Sequence, residues 1–172
     1  MSSSKKTIEP VQTDEKLEAF AVKAKRKIDF IVVHCTATLE SAAVESIKKY
    51  WRENLGWKDP GYHYLVDAWG VVHQLASEES ITNGVKGFNS NSIHVSYIGG
   101  VDRLGKALDT RNTHQKQSIF FLLQTLRTRY PDAVIQGHRD FSEDKNGNGV
   151  IDPWERIKEC PCFDAKVEYQ FI

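Results

Sequence analysis

The chain has 172 residues, a formal net charge of zero, 40% hydrophobic residues and 27% charged ones, a make-up ordinary for one globular domain that buries about two-thirds of its unfolded surface. A neutral balance excludes a general electrostatic attraction to nucleic acid, and no apolar run reaches the roughly 20 residues that span a bilayer. Three cysteines are too few for a disulfide framework, and their odd number leaves at least one free.

The opening MSSSKKTIEPVQTDEK has charge but no apolar region after it, so it does not read as a secretory signal. From Thr13 to Lys27, TDEKLEAFAVKAKRK places acids first and bases last, as the helix dipole favours, and its apolar residues recur at helical spacing. Residues 1–27 thus read as an arm with a helix, attached to a domain over 28–172. Phe30 to Val33 is a short apolar run rich in β-branched residues, the pattern of a central strand covered on both faces. His34, Cys35 and Thr36 follow at its C-terminal end, where open sheets place functional groups.

Ser41 is suited to cap a helix whose stripe is Val44, Ile47, Tyr50, Trp51 and Leu55, ended by Gly56. Residues 62–68 and 71–76 form a predicted hairpin around Trp69-Gly70. Residues 77–92 read as loop, and Ile93 to Ile98 as another strand stopped by Gly99-Gly100. Asn112 opens a long helix with Gln115 placed for a reciprocal cap. Ile119, Leu122, Leu123, Leu126 and Tyr130 line one side, Pro131 ends it, and residues 133–136 form a last strand. Strands interleaved with helices predict a single α/β (α+β) domain with a central mixed sheet flanked by helices.

Residue types that bind metals are concentrated from Gly137 to Asp164. Catalytic zinc usually takes three protein ligands and leaves a fourth position open. The candidates are the cysteines and the six histidines His34, His63, His73, His94, His114 and His138. His34 and His138 each end a predicted core strand, so neighbouring strands bring both to one sheet edge, and Cys160 can return there after the glycine-rich loop. Cys160 and Cys162 flank Pro161, too close for an unstrained bridge, so metal binding by one of them is the better reading. Cys35 points to the opposite face if the strand continues and reads as core. No HExxH pair exists, and spacing alone does not select the ligands.

Five motifs in order do more: HCTAT at 34–38, GWKDPGYHY at 56–64, KGFNSNSIHVSYIGG at 86–100, GHRD at 137–140 and KECPCFD at 158–164. Together they resemble the zinc-dependent N-acetylmuramoyl-L-alanine amidases of the phage lysozyme type, whose relatives include the peptidoglycan recognition proteins. The resemblance spans about residues 28–170 and implies that fold, with zinc held by His34, His138 and Cys160 and catalytic support from Tyr62 and Lys158. It implies cleavage of the bond joining the lactyl group of N-acetylmuramic acid to L-alanine in peptidoglycan or muropeptides. Zinc would lower the pKa of its bound water to about 7, while Lys158 and Tyr62 would stabilise the oxyanion. The expectation is a monomeric enzyme without nucleic-acid partners or membrane insertion. It would be made in the bacterial cytoplasm, with no signal peptide, and act on the wall after release or export. A non-catalytic peptidoglycan-binding module and a partner-binding regulatory protein are the alternatives. One departure is Gly84, where many relatives have a histidine two residues before the lysine of the KG motif.

The larger departure is an insertion between GHRD and KECP. Within it, Asp144, Asn146, Asn148, Gly149 and Glu155 match the twelve-residue EF-hand loop. Asp144, Asn146 and Asn148 would give side-chain oxygens to calcium, Val150 its carbonyl, Asp152 a direct or water-mediated contact and Glu155 two oxygens. Ordinary Asn-Gly surface turns share part of this pattern. Calcium bound over 144–155 would order the insertion and so present Lys158 and Cys160 to zinc.

Overall fold

A computed structural model describes residues 22–172. The apolar run becomes β1 (Phe30–Cys35). After it come α1 (Val44–Glu53), β2 (Tyr64–Val66), β3 (Val72–Gln74), β4 (Ser92–Tyr97), α2 (Thr113–Arg129), β5 (Val134–Gly137) and α3 (Ala165–Glu168). The strands form one mixed sheet in the order β3-β2-β4-β1-β5. β1 lies parallel to β4 and β5, β2 parallel to β4, and β3 antiparallel to β2. The α/β (α+β) domain with a central mixed sheet is therefore as expected.

Alternation along the strands separates two faces. Ile31, Val33, Cys35, Ile93, Val95 and Tyr97 pack with Ile119, Leu122, Leu123 and Leu126 of α2 in the main core. The opposite face is covered more thinly: Ile47 and Trp51 of α1 pack on Leu65 and Ile98. Cys35 is buried in the main core, facing away from its neighbour His34, as strand alternation requires.

The long helix opens with the reciprocal cap: Asn112 Oδ1 accepts the Gln115 amide at 3.0 Å, and Gln115 Oε1 accepts the Asn112 amide at 3.2 Å. The hairpin is shorter than expected, three residues per strand. Its turn is closed by the Asp67 carboxylate, which accepts the amides of Trp69 and Val71. Asn89–Asn91 adds one 3₁₀ turn inside the expected loop.

Two helix expectations need correction. Residues 13–21 lie outside the described residues, but 22–27 are not helical. The Ala24 amide donates to the Tyr130 hydroxyl at 2.7 Å and the Lys25 amide to Glu79 at 2.6 Å, so these donors serve tertiary partners in place of a helix. α1 is preceded by Ala43 without a side-chain cap, and Ser41 lies two residues too early to serve. Tyr50 and Leu55 of the expected stripe are exposed; Ile47 and Trp51 carry the packing.

Glu78, fully buried, joins several of these parts. Its carboxylate accepts from the hydroxyls of Tyr64 at 2.6 Å and Tyr130 at 2.5 Å and pairs with Arg129 at 2.7 Å. Arg26 donates to the backbone oxygens of Glu78, Ser90 and Ser92. A buried carboxylate needs such partners to offset its lost hydration. Here they anchor the 77–92 loop beside the N-terminal ends of β2 and β4.

Candidate metal centre

Register brings two histidines together. β1 and β5 pair with Val33 opposite Gly137, so the next residues, His34 and His138, stand side by side on the thinly covered face. Both are buried, and their Nδ1 atoms lie 3.2 Å apart. Cys160 completes the group: its Sγ is 3.7 Å from His34 Nδ1. Among the described residues this is the one group of three His, Cys, Asp or Glu side chains whose ligand atoms lie within 4.8 Å of one another.

Three contacts seat the cysteine. The Arg139 amide donates to the Cys160 carbonyl at 2.8 Å, the Tyr97 hydroxyl donates to the Pro161 carbonyl at 2.7 Å, and the Cys35 amide points at Cys160 Sγ from 3.2 Å. Gly137 makes the approach sterically feasible, since a Cβ there would sit 2.5 Å from Pro161 Cδ. A metal-bound cysteine is a thiolate, and the amide aimed at this sulfur fixes where it sits.

The donor set fits a tetrahedral metal. With Zn–N near 2.0–2.1 Å and Zn–S near 2.3 Å, tetrahedral angles separate two nitrogens by about 3.3 Å and nitrogen from sulfur by about 3.6 Å. The separations above agree with both, and three ligands leave a fourth position open. Burial, followed by the neighbouring His94 and His138, pushes the His34 imidazole well below its ordinary pKa. Burial, then the Lys158 charge, brings His138 down to about 4. Neutral imidazoles are the metal-binding form.

Tyr62 stands over this group, its ring centroid 5.0 Å from that of His34 and its hydroxyl donating to the Cys35 carbonyl at 3.3 Å. Burial, and then the charges of Cys160 and Cys35, raise its phenol, which keeps its proton as a hydrogen-bond donor. Lys158 is exposed, yet its charge bears on both His34 and His138. Beside Tyr62 a groove of about 490 Å³ is lined by Thr36, Thr38, Tyr50, Trp51 and Trp57. Roomier concavities lie beside residues 22–25 and around Trp69, but no residue of the metal group lines them.

The other histidines separate. His73 pairs with Asp67 at 2.8 Å on the hairpin, and His114 is exposed on α2. His63 and His94 are fully buried behind the metal group; sequence alone named them as candidates and gave neither a role. His94 Nδ1 lies 3.0 Å from His34 Nε2, and His63 Nδ1 accepts the His94 amide at 2.9 Å.

The insertion is a separate turn. The buried Glu155 accepts the amides of Lys145, Asn146 and Asp152, and Asp144 accepts those of Gly147 and Gly149. Asp152 accepts from the side-chain amides of Asn146 and Asn148. Gly149 takes a φ of 82° at the sharp turn. The three acids Asp144, Asp152 and Glu155 do not converge as the metal group does; loop amides take up their oxygens.

Residues 24–161 match the family described as N-acetylmuramoyl-L-alanine amidase. An endolysin of Escherichia phage T7 is 34% identical over 146 residues, covering 84% of this chain and 87% of that protein. The Ph2119 endolysin from a Thermus scotoductus bacteriophage superposes with a TM-score of 0.62 at 25% identity, covering 82% of this chain and 81% of that one. The N-acetylmuramoyl-L-alanine amidase LysCS of Clostridium intestinale shares the fold, with a TM-score of 0.63 at 18% identity, over 84% and 85% of the two chains.

Burial brings His63 down to about 4. Because its folded pKa lies below the unfolded one, the unfolded chain binds more protons once pH falls under about 6.5. Stability is therefore full above that pH and declines towards about 4, by on the order of 3 kcal/mol for this residue. Denaturant unfolding across this window should show a shallower decline for His63→Gln than for the wild-type chain. Equal slopes would remove His63 as a source.

Proposed function

This chain belongs to the N-acetylmuramoyl-L-alanine amidase family, and on that premise we propose that it hydrolyses the amide between N-acetylmuramic acid and L-alanine in peptidoglycan, using zinc held by His34, His138 and Cys160. The observation that carries the reading is the close grouping of two imidazole nitrogens and one sulfur, all within 4.8 Å of one another. Zinc, when bound, supplies a Lewis acid that polarises a carbonyl and makes water nucleophilic near neutral pH.

The protein supplies the rest. The protonated Tyr62 hydroxyl donates to the carbonyl oxygen as negative charge develops on it, and the Lys158 ammonium approaches the same oxygen from the exposed rim. Trp51 and Trp57, whose rings stack at 6.4 Å, form with Tyr50 an apolar wall along which a stem peptide lies. Covering part of the substrate excludes water and fixes the scissile bond against the donors.

The reading includes a division into an arm, residues 1–27, and an enzymatic domain, residues 28–172, acting as a monomer on peptidoglycan or muropeptides. No helix among the described residues is long and apolar enough to cross a membrane. Cytoplasmic synthesis, and action on the wall after release or export, belong to the proposal. Calcium over 144–155 belongs to it as well. Its support is the order of oxygen donors at Asp144, Asn146, Asn148, Val150, Asp152 and Glu155, with Gly149 at the turn. The loop lies between His138 and Cys160, so ordering it stiffens the arm that carries Lys158 and the sulfur ligand.

Mass spectrometry of digested cell walls should show stem peptides with a free L-alanine amine and glycan whose lactyl carboxyl is free. Cys160→Ser should lose zinc and activity together, and Tyr62→Phe should lower kcat by about 100-fold or more. Cleaved glycosidic bonds with intact lactyl amides would contradict the assignment. For the loop, added calcium should raise the thermal midpoint of the wild-type chain and leave Asp144→Ala unmoved. No calcium response in the wild-type protein would remove that ion.

A further inference from the structure

A chain of hydrogen bonds, part-buried at Asn89 and fully buried at His34, runs from the backbone of the 77–92 loop to the first proposed metal ligand. The Val85 amide lies 2.6 Å from Asn89 Oδ1. An amide N–H only donates, so the atom facing it is the Asn89 oxygen. That oxygen is 3.1 Å from His94 Nε2. As the oxygen only accepts, Nε2 of His94 carries the proton and Nδ1 is bare. Nδ1 lies 3.0 Å from His34 Nε2, so Nε2 of His34 must donate. A neutral imidazole holds one proton; the remaining lone pair of His34 is therefore on Nδ1, the atom that faces His138 and Cys160.

The His94 ring is seated for this task. It belongs to β4 at a position paired with Val32 of β1, and it stacks on the His63 ring at 5.8 Å and 25°. Its own amide is held by His63 Nδ1, and His63 Nε2 is 3.0 Å from the Ser80 carbonyl. Gly84 completes the seat: a Cβ there would overlap Nδ1, Cγ and Cε1 of the ring. A side chain at 84 and an imidazole at 94 exclude each other. The glycine, seen in the sequence only as a departure from the resembling amidases, is what admits His94.

We propose that His94, oriented by Asn89 and the Val85 amide, is a positioning residue that fixes the tautomer and ring direction of His34 before metal arrives. Burial makes the device effective, because neither His34 nor His94 has water to substitute for its partner. A bare acceptor on Nδ1 of His94 also strengthens His34 as a ligand through its Nε2 proton. The inference rests on the metal site proposed above.

Two measurements on the full chain decide it. Long-range nitrogen–proton NMR of its histidines reads tautomers directly. His34 and His94 should both carry the proton on Nε2, in metal-free and zinc-loaded protein alike. A proton on Nδ1 of His94, or a bare Nε2 on His34, overturns the proposal. Chelator competition then reads zinc affinity. His94→Leu should bind zinc about 10- to 100-fold more weakly, while His94→Asn, whose oxygen can take the place of Nδ1, should stay within about threefold of wild type. Affinity unchanged in the leucine variant, or equally poor in both, also overturns it. If His94→Leu does not fold, the tautomers of the unmutated chain still decide. A wild-type chain without zinc affinity would refute the metal assignment alone.

Discussion

The parallel register of β1 with its two neighbours is the constraint on which the molecule depends. Pairing Val33 with Gly137 puts His34 beside His138, and pairing Val32 with His94 puts the supporting imidazole behind them. A slip of β1 by one residue would turn His34 to the opposite face, into the core beneath α2, away from His138 and His94. The buried aliphatic residues of β1, β4 and α2 therefore fix the candidate metal centre as much as its proposed ligands do. Ile31, Val33, Ile93 and Val95 hold the register by having no other place to be buried.

Cys160 is of a different kind, because it belongs to no strand. Its place follows from close backbone approach at Gly137, a tyrosine hydroxyl from β4 and the amides of Cys35 and Arg139. The segment that delivers it passes through the 144–155 turn, whose donors and acceptors are nearly all internal to the loop. Such a turn is tied together internally, and on the proposal above whatever stiffens it acts on Cys160 a few residues further along the chain. The sheet supplies a rigid pair of nitrogens, and the segment that follows the inserted loop supplies the sulfur of the candidate site.

Much of this is readable from residues. The apolar run at 30–33, the reciprocal cap at Asn112 and Gln115, and the strand-end positions of His34 and His138 follow from periodicity and local chemistry. Cys160, Tyr62 and Lys158 came from the resemblance, because spacing alone does not say which distant residues share a sheet edge. The N-terminal helix failed over 22–27, where Tyr130 and Glu79 take the amides a helix would need. The role of His94 was hidden for a related reason. In sequence it is one polar position in an alternating strand, and only the fold shows that this position is fully buried and needs partners.

The central claim is that two imidazoles and one thiolate hold the catalytic metal and leave one position open. X-ray absorption of the zinc-loaded protein tests it most directly. The account predicts one sulfur at about 2.3 Å, two imidazole nitrogens at about 2.0–2.1 Å and one further light atom. A shell without sulfur, or with two sulfurs, would contradict it.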